Sequence, residues 1–257
     1  MIHVQGILFD AHSSFQQGPA LAPPLIRVAF HSDSGNSYSE DLTNIKTDQI
    51  VDKGDYEIGN YFEIEEISRK NLSRSKKLLT LGGDHSITFP IIKAYTEKYP
   101  KLDILQIDAH SDLYHDFDGV KYSHASPFAR IMEAGLVEHL VQVGVRTLNP
   151  HQREQVDKFD VEVHEMRTLN LTKIEKFENP LYITLDIDGI DPAFAPGVSH
   201  HEPGGLTSRE VINLIQNLEA DVVGADIVEY NPHRDFQDMT AYLAAKMMKE
   251  LLAKMLR

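Results

Sequence analysis

The stretch ILQIDAHSDLYHDF, residues 104–117, decides how this chain folds. Its apolar run, Ile104 to Ile107, has the look of a strand buried within a sheet. The run ends at Asp108, His110 and Asp112, titratable side chains at every second position. Residues two apart on a strand face the same side, so Asp108 and His110 converge, and Asp112 can join them. Such groups are expensive to bury, and their crowding at the end of a strand calls for a compensating charge.

Two more segments end an apolar run in the same way. LLTLGGDHSITFP, residues 78–90, breaks at Gly82–Gly83, presents Asp84 and His85, and opens a helix with Ser86 in the N-cap position. LYITLDIDGIDP, residues 181–192, presents Asp186 and Asp188 together and Asp191 farther out. If the three strands are neighbours, four carboxylates and two imidazoles share one small volume. Like charges that close raise one another's pKa values and oppose folding unless cations lie between them. A divalent metal meets that need and a pair meets it better, with six protein ligands and two bridging carboxylates. Oxygen-rich donors without thiolates favour Mn(II) over Zn(II), with Mg and Fe also compatible. A single Asp or His at a strand end is ordinarily a cap or a surface residue. Three such segments in one chain are not explained that way.

Away from these segments, short apolar runs alternate with helical patterns, the signature of stacked βα units and a mostly parallel sheet. Strands are expected at residues 4–9, 77–81, 102–107, 139–145, 161–165, 181–185 and 222–228. Helices are expected at 24–30, 63–76, 86–98, 127–134, 150–159, 208–218 and 240–256. The last carries Leu243, Met247, Leu251 and Met255 at helical spacing, a stripe for the core or a subunit contact. Ser111–Ser126 and Gly189–Thr207 fit neither period. Both follow strand ends, where open parallel sheets bind their ligands. No repeat or linker divides the chain, and residues 1–257 read as one domain.

The chain has 257 residues, 42% hydrophobic and 25% charged, enough for a sizeable core. A net charge of −14 excludes a phosphate-binding surface for nucleic acid and suits a cationic small molecule. Cysteine is absent, which removes disulfides, thiolate metal sites and a Cys nucleophile. No apolar stretch reaches the length of a membrane span, and MIHVQGILFD lacks the pattern of a signal peptide. A cytoplasmic protein is expected.

GGDHS, DAHSD, SHASP, DIDGIDP, PGGLT and EYNP stand in the order and spacing of the ureohydrolases. The chain thus resembles the family of arginases, agmatinases and relatives acting on other guanidino or amidino compounds, from about Ile7 to the last helix. The resemblance implies a three-layer α/β/α sandwich around the parallel sheet and two Mn(II) per subunit. It also implies hydrolysis of a guanidinium to urea and an amine, in a homo-oligomer, trimer or hexamer. By position, His85 and Asp112 match the ligands of one manganese, and His110 and Asp188 those of the other. Asp108 and Asp186 match the carboxylates bridging both.

A guanidinium carbon is a poor electrophile because its charge is spread over three nitrogens. Two cations sharing a water would lower its pKa enough for attack. His124, in YSHASP, stands where the family has its mobile proton-shuttling histidine, and imidazole titrates near neutrality. Glu229 matches the carboxylate that pairs with the guanidinium, two oxygens facing two N–H groups. Asp191, Glu202 and Asp226 are expected in supporting roles, and His200 and His201 on the loop surface. His115 and Asp116 are open.

Where arginases carry an Asn and a Ser that help hold the α-carboxylate of arginine, this chain has Tyr114 and Val120. With EPGGLT and GPALAPPLIR, that departure favours agmatine, cleaved to putrescine and urea. Arginase, guanidinobutyrate-type and formimidoylglutamase activities are the alternatives within the family. Outside it stand a mononuclear zinc deacetylase and a non-catalytic metal-binding protein.

Overall fold

The computed structural model describes residues 1–174 and 176–257. Among them, eight strands form one sheet: β1 (Ile2–Leu8), β2 (Ile50–Glu57), β3 (Lys77–Leu81), β4 (Asp103–Ile107), β5 (His139–Val143), β6 (Glu162–His164), β7 (Leu181–Asp186) and β8 (Val222–Val228). Their order is β2-β1-β3-β8-β7-β4-β5-β6, and every neighbouring pair is parallel. The intervening helices are α1 (Ala22–Phe30), α2 (Glu63–Ser73), α3 (Thr88–Thr96), α4 (Pro127–Glu133), α5 (Pro150–Phe159), α6 (Ser208–Asn217) and α7 (Met239–Leu256).

A parallel sheet must be covered on both faces. Ile26 of α1, Val211 and Ile215 of α6, and Met247 and Leu251 of α7 share one core with Leu79, Leu105, Ile183 and Ala225. On the other face, Ile64 of α2, Ile91 and Tyr95 of α3, and Phe128 of α4 meet Leu78, Ile104, Leu140 and Tyr182. This is the three-layer α/β/α sandwich that the resemblance implies. Met247, Leu251 and Met255 are all buried, so the apolar stripe of α7 packs inward rather than forming a subunit face.

Seven of the strands coincide with expected ones. The eighth, β2, was not expected: its sequence IVDKGDYE is polar, its residues are mostly exposed, and it forms one edge of the sheet. An exposed edge strand needs no apolar alternation, and charges there discourage pairing with other chains.

The premise that all three motif-bearing strands are neighbours is corrected in one respect. β4 and β7 are adjacent, but β8 stands between β3 and β7. His85 still reaches the others because it lies beyond β3, in a short 3-10 turn, His85–Ile87, that precedes α3. Asp84, not Ser86, caps this turn: its carboxylate accepts from the Ser86 backbone N–H at 3.1 Å. Glycine is required on both sides of the cluster for close approach. A Cβ on Gly83 would strike the carbonyl of Phe9, and one on Gly189 would lie 2.8 Å from the Asp108 nitrogen.

Candidate active site

The ends of β3, β4 and β7 deliver six side chains to one place. His85 Nδ1 lies 3.1 Å from Oδ2 of Asp108, 3.1 Å from Oδ2 of Asp112 and 3.2 Å from Oδ2 of Asp186. His110 Nδ1 lies 3.1 Å from Oδ2 of Asp188 and 3.6 Å from Oδ1 of Asp108. Two donor groups result, His85–Asp108–Asp112 and Asp108–His110–Asp188, each with its ligand atoms within 4.8 Å of one another. Asp108 belongs to both. Asp112 reaches the first group through a left-handed backbone, φ 50°, which few non-glycine residues adopt.

The arrangement fits divalent metal. First-row ions hold nitrogen and oxygen donors at about 2.0–2.2 Å, which sets neighbouring donors about 3 Å apart. His85 Nδ1 is buried and has no aligned hydrogen-bond partner, as a nitrogen reserved for a metal would be. The charges point the same way. Burial, reinforced by Asp188 and Asp108, pushes the Asp186 carboxyl well above its ordinary range. Burial and Asp108 raise Asp112 to about 6. Burial opposes the charged form of His85, but Asp108, Asp112 and Asp186 more than reverse this and hold its pKa well above the ordinary value. A divalent cation among these groups would offset the repulsion between their carboxylates.

Beside the cluster, His124 and Glu229 form a buried pair. His124 Nδ1 lies 2.9 Å from Oε1 of Glu229, which also accepts the backbone N–H of His85 at 2.9 Å. Burial lowers the pKa of His124, but Glu229 overrides it and the value rises to about 9. On the other side of the ring, the Ser14 backbone N–H donates to Nε2 at 3.2 Å and the Ser14 hydroxyl lies 2.8 Å away. A backbone N–H can only donate, so in the neutral ring, the form favoured above about pH 9, Nε2 accepts and Nδ1 carries the proton toward Glu229. Glu229 also has a left-handed backbone, φ 63°. Strain of this kind persists where the surroundings over-determine the conformation.

A cavity of about 210 Å³ opens above these groups, lined by Ser14, Tyr114, Thr147, Gln152, His200 and Glu202 as well as members of the cluster. Among the described residues lining it, none is Lys or Arg. His200 is thus no mere surface residue: its ring centroid lies 5.8 Å from that of His110 and 5.3 Å from that of His124. His201 is exposed and bonds to the Pro196 carbonyl. His115 faces Glu133, and Asp116 accepts from Gly119 in its own turn, so neither lines the cavity. Asp191 holds the second loop by accepting from the N–H groups of Gly204 and Gly205. Ser14 and Thr184 were missed from sequence. Ser14 sits in a loop without periodicity, whereas Thr184 was findable, two residues before Asp186 on the same face of β7.

A family model described as "Arginase family" matches residues 1–253. A mitochondrial arginase of Medicago truncatula is 48% identical over 97% of this chain and 80% of its own length. An agmatinase of Bacillus anthracis is 34% identical over 97% of this chain and 90% of its own. The solved structure of an arginase from Medicago truncatula superposes with a TM-score of 0.93 at 46% identity, covering 99% of this chain and 87% of that one.

Proposed function

This chain belongs to the arginase family, and we propose that it hydrolyses L-arginine to urea and ornithine at the His85–Asp188 cluster. It is a hydrolase of guanidino C–N bonds. Which guanidino compound it takes is the finer question. Whole-chain similarity favours arginine, at 48% identity to an arginase against 34% to an agmatinase. The departure at two positions that favoured agmatine is outweighed. Val120 is exposed and does not line the cavity, so its identity says little about substrate. Tyr114 does line it, and its hydroxyl accepts from Asn149 at 2.6 Å. With Gln152 it offers neutral hydrogen-bond donors to a carboxylate where no Lys or Arg is found among the described lining residues.

The observation that carries the reading is the shared position of Asp108 between two donor groups. We take two Mn(II) per subunit as the occupants, held by His85, Asp108, Asp112, Asp186, His110 and Asp188. When bound, such ions supply Lewis acidity that makes water a usable nucleophile near neutral pH. The remaining work falls to the chain. Glu229 turns a carboxylate toward the cavity and pairs with the guanidinium, while its link to the His85 backbone fixes that carboxylate relative to the cluster. His124 delivers a proton to the departing amine. Protonating Nε2 turns round its bond with the Ser14 hydroxyl, which then accepts, while Glu229 keeps hold of Nδ1, so the cationic ring stores its proton at the cavity wall. A protein that merely stored metal would have no use for this pair.

Residues 1–257 are proposed to act as one unit, assembled as a homo-oligomer, trimer or hexamer. Exposed Leu21 just before α1, Leu25 and Val28 along it, and Met239 and Tyr242 of α7 offer apolar surface for assembly. No described helix is long and apolar enough to cross a membrane. The plant relatives named mitochondrial weigh against the cytoplasmic expectation.

The test is urea release by the manganese-loaded protein from arginine, agmatine and guanidinobutyrate, with formamide release from formiminoglutamate and metal analysis alongside. Arginine should lead, with about two Mn per chain. Agmatine in the lead would reverse the substrate assignment and leave the reaction class standing. No urea from any of them would end the proposal.

A further inference from the structure

Immediately beneath the cluster lies a row of polar residues that the reaction does not use. Gln5, Thr80, Asp226, Thr184, Gln106 and Gln142 follow one another in register across six adjacent strands, β1-β3-β8-β7-β4-β5. All six are fully buried. Core strands of parallel sheets are ordinarily aliphatic, and a buried amide, hydroxyl or carboxylate is tolerated only when bonded. The fold alone gives no reason for the row.

Its hydrogen bonds give one. Gln106 donates to Oδ2 of Asp108 at 2.7 Å and to the His110 carbonyl at 3.1 Å, and is itself braced by Gln142 at 2.6 Å. Thr184 Oγ1 lies 2.8 Å from His85 Nε2. Asp226, the register partner of Thr184, has its Oδ2 satisfied twice, by the Thr88 hydroxyl at 2.8 Å and the Tyr182 hydroxyl at 2.9 Å. Its Oδ1 accepts no aligned hydrogen bond; burial raises the pKa of Asp226, and His85 and the neighbouring Thr184 hydroxyl offset part of that rise.

We propose that Asp226 and Thr184 are positioning residues that keep the proton of His85 on Nε2 and so keep Nδ1 open for metal. Thr184 has one hydrogen to give. The open carboxylate oxygen of Asp226 claims it, which leaves Thr184 as the acceptor of Nε2–H. The lone pair of Nδ1 then faces Asp108, Asp112 and Asp186. Outer-shell partners of this kind typically change metal affinity by about 10- to 100-fold. The inference rests on His85 being a metal ligand, as proposed above.

Asp226→Asn is the sharp variant because it keeps the shape and reverses the polarity. Its carbonyl must stay with the two hydroxyls of Thr88 and Tyr182, so its NH2 faces Thr184. Thr184 then donates to His85 Nε2 and drives the proton to Nδ1. Thr184→Val removes the hydroxyl at constant shape, and Thr184→Ser restores it. The measurements are manganese affinity and stoichiometry by calorimetric titration, and melting of each metal-free protein. Expected are an affinity about 10- to 100-fold weaker in Asp226→Asn and Thr184→Val, near wild type in Thr184→Ser, and a stoichiometry falling from two toward one. Wild-type affinity in either weakened variant, or equal weakening in Thr184→Ser, overturns the inference. Should Asp226→Asn fail to fold, the Thr184 pair decides alone. His85→Ala separates the two levels: if it binds two manganese ions as wild type does, the ligand reading itself has failed.

Discussion

Asp112 is held in a left-handed backbone and a buried site, with its pKa raised to about 6. The sign of that shift makes it costly to the metal-free protein. A carboxyl whose folded pKa exceeds its unfolded value opposes folding as pH rises through the ordinary carboxylate range and on to about 6, and its full penalty is present at pH 7. Asp112→Asn should therefore melt higher than wild type at pH 7 when both are stripped of metal, with little difference at pH 4. It should also gain less than wild type from added manganese, because the Asp108–His110–Asp188 group is left intact. Thermal melts at the two pH values check this, and a less stable variant at pH 7 would contradict it. Glu229 carries a different load. Glu229→Gln keeps the shape but gives up the charge facing the guanidinium. Losing a hydrogen bond to a charged group costs about 1.5–3 kcal/mol, roughly a 10- to 150-fold loss in kcat/KM for arginine. Unchanged metal content would place that loss on the substrate rather than the cluster.

At the scale of elements, the site depends on how closely the turn after β7 approaches the end of β4. Gly189 presses against the Asp108 backbone, where a Cβ would meet N at 2.8 Å and Cα at 2.9 Å. Gly189→Ala must push the β7 turn away, carrying Asp186 and Asp188 from Asp108. Overpacking of this kind costs about 1–3 kcal/mol, and manganese affinity should fall along with the melting temperature. Wild-type affinity in a destabilised variant would show that the two turns move together. These elements also mark what was legible in the sequence. ILQIDAHSD and LYITLDIDG each combine an apolar run with polar groups at period two, so strand, direction and converging side chains could all be read from them. β2 could not, because an edge strand exposed to water has no apolar pattern to detect. The position of β8 between β3 and β7 is likewise set by long-range pairing that no local spacing encodes. The polar row stayed hidden for a related reason. Thr80, Thr184 and Gln106 are each unremarkable within their own strands, and only strand order lines them up beneath the ligands.

For the whole molecule, two consequences follow from concentrating negative charge in a protein that already carries −14. Removing metal should lower the melting temperature. An ion bound at 100 times its Kd stabilises the folded state by about 2.7 kcal/mol. In a domain of this size each kcal/mol moves the midpoint by about 2–4 °C, so each ion should contribute about 5–10 °C. A chelator that leaves the melt unchanged would argue against resident cations. The second consequence concerns encounter. A cavity with Glu202 and Glu229 among its described lining residues, and no Lys or Arg, attracts cations from beyond contact distance. Salt screens that attraction over about 10 Å at 0.1 M. Arginine bears one net positive charge and agmatine two, so their kcat/KM values should respond differently to ionic strength. Raising salt should lower both, with the steeper slope for agmatine. Viscosity-independent kcat/KM values with equal slopes for the two substrates would mean that the field of the protein takes no part in capture, and that discrimination rests on contacts at Tyr114 and Gln152 alone.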